Sequence, residues 1–402
     1  MTTAHYTIVI VGGGNAGLSI AAQLLLKQPD LDIAIIEPSE KHYYQPAWTL
    51  VGAGVYDIKK TERNEADFIP KNAKWIKDSV VSFQPENNRL TCQSKSEYSY
   101  DVLLVAAGIG LDWHKIEGLS DTLGKNQVSS NYDFNVAPYT WEMIKNFKGG
   151  VAVFTNPTTP IKCGGAPHKI MYLACDYWRK QGILDKCEIH YLSGASIIFG
   201  VPEYAKTLTE VVAKNNIKVH FGVNVNKING NTKTVYYEEK DANGTFVQKE
   251  MKFDICHAVP PQSALPFIKN SPLADAANPH GYVEVNKNTF QHIRYPNIFA
   301  CGDTSNAPCS KTGAAIRKQA PVVVAQILAY LKKTSSDASY DGYSACPIPT
   351  QYGKLMLAEF DYTNKPKMTF PFDQAVPRWS MWILKTKVLP WLYWNRILSG
   401  RA

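Results

Sequence analysis

The chain has 402 residues, 45% of them hydrophobic and 19% charged, with a formal net charge of +8. This composition excludes a disordered chain and leaves room for two or three domains with sizeable cores. Eight cysteines without Cys-x-x-Cys spacing exclude a zinc module and are too few for a secreted disulfide scaffold.

Met1 to Tyr6 lacks a basic leader, so neither a signal peptide nor a full transit sequence is expected. Tyr6-Thr7-Ile8-Val9-Ile10-Val11 reads as a buried strand. It runs into Gly12-Gly13-Gly14-Asn15-Ala16-Gly17, followed by a helical stretch from Leu18 to Lys27. In this G-x-G-x-x-G spacing Gly12 makes the tight turn, Gly14 lets the backbone approach a pyrophosphate and Gly17 packs helix on strand. A second strand, Ile33-Ala34-Ile35-Ile36, ends in Glu37, about 20 residues past the last glycine, where an acid holds ribose hydroxyls. Cys92, in the polar segment Arg89–Ser94, reads as a surface thiol on one side of a hairpin. Tyr100 to Gly108 is a further strand that ends in Ala-Ala-Gly.

The middle of the chain reads as a second α/β unit. Its strands are Gly150–Thr155, Ile189–Leu192 and Val219–Phe221, and an Asn243-Gly244 turn supplies a positive φ for a hairpin. A nicotinamide site needs another glycine fingerprint after the first of these strands. The chain instead offers Asn156-Pro157-Thr158-Thr159-Pro160-Ile161-Lys162-Cys163-Gly164-Gly165, so tight NAD(P)H binding is not expected. Cys163 precedes a helix beginning near Pro167, and a positive helix end lowers a thiol pKa. Lys162, His168 and Lys169 are local groups able to lower it further. Cys175, Cys187 and Cys256 read as packing thiols.

Downstream, Tyr295 to Asp303 is a strand that ends in Gly302-Asp303, similar to the flavoprotein motif that holds the ribityl chain and diphosphate of FAD. With the glycine turn and Gly108 it points to FAD rather than NAD. Lys311-Thr312-Gly313 opens a helix to Leu331, and a lysine there suits either the flavin's pyrimidine edge or the plain surface. Cys346 stands in a following loop. As partner thiols for Cys163 the sequence offers Cys346, Cys309 and Cys301, and sequence distance does not choose among them.

Residues 364–402 hold seven Lys and Arg against Asp373, interleaved with Trp379, Trp382, Trp391 and Trp394. Lys385, Lys387 and Pro390 interrupt the apolar run, which excludes a bilayer span. Two short amphipathic helices flanking Pro390 are expected to lie in a membrane interface, with basic groups on anionic lipid. The competing reading buries these aromatics in the protein or at a dimer contact.

The expected fold is α/β, with two Rossmann-like domains, the second inserted in the FAD-binding domain, and a C-terminal amphipathic membrane-binding segment. The expected boundaries are 1–110 and 281–335 for the two parts of the FAD-binding domain, 111–280 for the inserted domain and 336–402 for the C-terminal loop and helices.

Gly12–Gly17, Glu37–Pro46, Ile161–Pro167, Gly302-Asp303, Tyr343–Pro347 and Ala358–Tyr362 together resemble the sulfide:quinone oxidoreductases over essentially the whole length, nearest the subgroup that includes the mitochondrial enzyme. The resemblance implies that the redox cysteines are Cys163 and Cys346, and that Gln45 and Val80 contact FAD. It further implies that hydrosulfide attacks the Cys163–Cys346 disulfide, leaving a persulfide on Cys346. Cys163 then adds to the flavin, a small thiol or sulfite takes the sulfane sulfur, and a membrane quinone takes the electrons. The expected location is peripheral on a bacterial or mitochondrial inner membrane, with a possible homo-oligomer and no nucleic-acid partner. The alternatives are an NAD(P)H-dependent disulfide or quinone reductase and a non-enzymatic flavin-bound membrane scaffold.

Overall fold

A computed structural model of the chain describes residues 3–402. Its first sheet is built on Ala4–Val11, whose last four residues are fully enclosed, as expected of a strand covered on both faces. Ile33–Ile36 lies parallel on one side of it and Glu97–Val105 parallel on the other. Glu97–Val105 is the branch point of the sheet. Its first half pairs antiparallel with Arg89–Cys92, and its second half pairs parallel with Ile298–Ala300. The register Ala300↔Val105 brings Gly302 and Gly108, nearly two hundred residues apart in sequence, to the same sheet edge as Gly12. Helices Asn15–Lys27 and Gly313–Leu331 pack against each other over this sheet.

The chain between these two strands builds a second, all-parallel sheet in the order Val128–Ser129, Ile255–His257, Gly150–Asn156, Cys187–Ser193 and Lys218–Phe221. An antiparallel sheet of Asn224–Asn229, Thr234–Lys240 and Phe246–Lys252 adjoins it. The inserted α/β unit is thus present. In its hairpin turn only Gly244 is left-handed (φ +78°), while Asp241 Oδ1 holds the Asn243 and Thr245 amides at 2.9 Å each.

Ser344–Gln351 and Lys354–Phe360 form a hairpin that packs on helix Ala166–Lys180. Cys346 and Ile348 share an apolar core with Ile170 and Leu173. The sequence placed Cys346 in a loop; the structure places it on this strand.

The C-terminal segment differs most from expectation. Trp379–Ile383, Leu384–Val388, Leu389–Leu392 and Tyr393–Ile397 form one continuous run, alternating α and π turns, with Pro390 inside it rather than between two helices. The π turns accommodate the missing Pro390 N–H and its ring. Nor do all the aromatics and cations face outward. Tyr393, Trp394 and Lys385 are buried, whereas Trp379 and Trp391 are 67% and 58% exposed. Among the described residues no helix is long and apolar enough to cross a membrane. Cys92 is also not a surface thiol: it is 1% exposed in the first core, and burial pushes its pKa up to about 12.

Candidate active site

The sheet edge opens into a cavity of about 630 Å³. Gly12 turns there with φ +106°, and a Cβ on it would lie 2.5 Å from Ala106 O. A Cβ on Gly17 would lie 1.9 Å from Gly12 O, so only glycine lets helix and strand approach this closely. In front of Gly14, by contrast, no atom comes within 4 Å of a Cβ position. That open space faces the N-terminus of helix Asn15–Lys27, whose first amides and dipole suit an anion. Glu37 accepts hydrogen bonds from the Gly13 amide (2.8 Å) and the Ser39 amide (2.7 Å), and burial raises its pKa. Asn15, Ala16, Gln45, Gly108, Gly302, Asp303 and Lys311 line the same cavity. The open cradle at Gly14 and the acid beyond it fit the diphosphate and ribose of a flavin dinucleotide. Gly17→Ala is expected to destabilise the fold by about 3 kcal/mol through overpacking, measured by denaturant unfolding.

Lys311 is not a surface lysine. Its Nζ donates to the carbonyls of Asp303 (2.7 Å) and Ser305 (2.8 Å), lies 3.9 Å from the Tyr282 ring centroid, and has its pKa lowered by burial. Val80 is not brought to the cavity; it lines a separate groove with Val81, Phe83 and Phe267.

The loop after Gly150–Asn156 delivers the thiol. The Cys163 amide donates to Lys311 O (2.7 Å), which ties the loop to the cavity wall, and its carbonyl accepts from Ala166 N (2.7 Å) at the start of helix Ala166–Lys180. Cys163 adopts φ +58°, a strained conformation for a non-glycine residue at a site where surrounding contacts hold it. Its Sγ lies 3.1 Å from Cys346 Sγ, both being free thiols. Gly165 makes that approach possible, since a Cβ there would lie 2.6 Å from Cys346 Sγ.

Among the three local groups, the one that reaches the thiol is Lys169, with Nζ 2.9 Å from Cys163 Sγ. Lys162 turns to Gln45 Oε1 (2.6 Å), and His168 is neutral because burial pushes its pKa down to about 3. The hydrogen bond from Cys346 and the Lys169 charge hold Cys163 well below the ordinary thiol pKa. The same bond, together with burial, raises Cys346. Burial, the largest single effect, opposes the Lys169 charge, but Cys163 and Cys346 together outweigh it and raise its pKa. The rival thiols Cys301 and Cys309 contact Gln319 at 3.4 Å each rather than Cys163.

Two features were missed by sequence reasoning. Lys385, assigned to a lipid-facing surface, lines the cavity, where burial and Lys169 push its pKa down to about 7. Its position between apolar neighbours in Trp382–Leu389 is the signal that would have turned it inward. The second is a buried set of Glu65, His42 and Tyr393 beside the glycine turn. Among the described residues no group of His, Cys, Asp and Glu is arranged to hold a metal ion.

Residues 6–139 match the pyridine nucleotide-disulphide oxidoreductase family. The chain is 46% identical to the mitochondrial sulfide:quinone oxidoreductase of Dictyostelium discoideum, covering 98% of this chain and 86% of that one. It is 40% identical to the mitochondrial sulfide:quinone oxidoreductase of Mus musculus, covering 98% and 87%. The X-ray structure of the sulfide:quinone oxidoreductase from Aquifex aeolicus superposes with a TM-score of 0.77 over 99% of this chain and 92% of that one, at 21% identity, and so shares the fold. Identity at this level along nearly its whole length makes the chain a member of the sulfide:quinone oxidoreductases.

Proposed function

We propose that this enzyme oxidises sulfide at a Cys163–Cys346 disulfide and passes the electrons through FAD to a membrane quinone. The observation that carries the reading is the sulfur contact of 3.1 Å, with Lys169 Nζ 2.9 Å from Cys163 Sγ, at the wall of the cavity that the glycine turn opens. This placement of the charge supports one direction of attack. In thiol–disulfide exchange the lower-pKa thiol is the better leaving group. Cys163, paired with Lys169, is therefore the leaving thiolate, and hydrosulfide attacks Cys346. The S–S bond breaks, a new S–S bond leaves a persulfide on Cys346, and the bonding pair stays on Cys163. Lys169 and Lys385 supply the positive potential that draws hydrosulfide in. A small thiol or sulfite then bonds to the outer sulfur and frees Cys346 as a thiolate. FAD held in the cavity by Gly14, Glu37 and Lys311 would supply the two-electron acceptor that re-formation of the Cys163–Cys346 disulfide needs, with the quinone as final acceptor.

The quinone's route is supported by Leu384, Leu389, Leu392 and Ile397, which line the cavity from the same helix that exposes Trp379, Trp391 and Val388. Lys387 and Arg396 are exposed on the same helix. Such a face seats on an anionic lipid surface, and the mitochondrial names of the relatives support a mitochondrial membrane. Replacing Trp379 and Trp391 together by serine is expected to weaken vesicle binding by about tenfold or more in a sedimentation assay, with sulfide-driven flavin reduction in detergent unchanged.

The reading is tested by quinone reduction with sulfide plus sulfite, and separately with NADH, as donor. Sulfide-driven turnover supports it. Turnover with NADH alone would move the protein to the NAD(P)H-dependent reductases.

A further inference from the structure

A buried relay runs from the glycine turn to the C-terminal helix, and sulfide oxidation as described makes no use of it. Glu65 Oε2 lies 2.8 Å from His42 Nδ1, and His42 Nε2 lies 2.7 Å from the Tyr393 hydroxyl. All three side chains are buried, Glu65 at 1% exposure. Burial first, then Tyr44 and Glu65, hold the Tyr393 pKa well above its ordinary value, so the phenol keeps its proton. In the neutral tautomer Tyr393 O–H donates to His42 Nε2, and Nδ1–H donates to Glu65.

The other carboxylate oxygen, Glu65 Oε1, has no hydrogen-bond partner. A buried carboxylate oxygen without a donor is costly and marks a missing partner. Its direction is fixed by the backbone: a Cβ on Gly13 would lie 2.4 Å from Glu65 Oε1 and 2.7 Å from Glu37 Cγ. The two carboxylates therefore flank Gly13, and both line the cavity. The Glu37 oxygens already accept two backbone amides, whereas Oε1 of Glu65 is free for a ligand hydroxyl.

The far end of the relay belongs to the cavity wall. Tyr393 packs on Tyr44 with ring centroids 4.7 Å apart, Trp394 on Phe68 at 5.2 Å, and the Arg63 guanidinium lies 4.6 Å from the Trp394 ring centroid. Apolar stacking seats this part of the helix, and the His42–Tyr393 bond is the polar link from that seat to the nucleotide end of the cavity.

We infer that Glu65 is a second ribose-binding acid, accepting a hydroxyl of the cofactor's adenosine half on Oε1, and that through His42 and Tyr393 it couples cofactor binding to seating of the C-terminal helix. The inference rests on the FAD reading above. It gives Glu65 a role in holding the cofactor and Tyr393 a positioning role, neither of them in sulfur chemistry.

The test uses purified full-length holoenzyme. FAD release on dilution is followed by flavin fluorescence, and trypsin cleavage at the exposed Lys387 and Arg396 is followed in parallel. Glu65→Gln keeps the side chain's size but replaces one acceptor oxygen, and is expected to release FAD about tenfold faster and to be cut faster. Tyr393→Phe keeps the ring packing and removes only the link; both readouts are expected to accelerate severalfold. FAD release at the wild-type rate from Glu65→Gln would overturn the ribose contact. Fast release from Glu65→Gln with wild-type behaviour of Tyr393→Phe in both readouts would overturn the coupling. Wild-type protein that binds no FAD would overturn the cofactor reading and this inference with it, an outcome distinct from failure confined to the variants.

Discussion

Cys163→Ser and Cys346→Ser are each expected to lower sulfide-driven quinone reduction by about three orders of magnitude or more, with bound flavin retained. The size follows from the chemistry: a hydroxyl neither forms a disulfide nor leaves as a stabilised anion. No neighbouring thiol can substitute. Cys301 is buried and Cys309 half-buried against Gln319, and desolvation raises the pKa of each. The remaining free thiols are likewise unsuited, burial pushing Cys256 up to about 12 and Cys187 up to about 11. Retained flavin colour separates this result from misfolding. Substantial turnover by either variant would show that the electrons enter elsewhere.

Lys169→Met carries the second largest effect. The ammonium sits 2.9 Å from Cys163 Sγ in a buried site, where little water screens it. The folded-state pKa of Cys163 lies below its ordinary value, so the thiolate is present at all pH above that lowered pKa. Removing the cation raises the pKa and confines the thiolate to more alkaline solution. The acid limb of the pH–rate profile is expected to move up by about two units, and turnover near neutrality to fall about a hundredfold, with partial recovery at high pH. A uniform loss with an unmoved acid limb would instead assign Lys169 to packing or substrate attraction.

What the sequence made legible was what short-range spacing encodes. The turn at Gly12–Gly17, the acid at Glu37 and the strand ending at Gly302-Asp303 all carry fixed offsets between neighbouring elements, and the structure gathers them at one sheet edge. The helix that opens at Gly313 was equally readable from its apolar run. The thiol pair was only half readable. Cys163 stood out where glycines were missing, but choosing Cys346 over Cys309 and Cys301 took a family resemblance, because the partner is 183 residues away. The C-terminal helix was misread for a related reason. Composition cannot tell an exposed tryptophan from one packed on Phe68, and Trp391 and Trp394, three positions apart, take opposite answers. The contact of His42 with Tyr393, 351 residues apart, leaves no local signature at all.

The most direct test of the central claim, that electrons enter through the cysteine pair rather than through a nicotinamide site, is anaerobic rapid mixing while flavin absorbance is followed. Sulfide is predicted to bleach the wild-type flavin, and NADH to leave it oxidised. Bleaching by NADH with no response to sulfide would contradict the account.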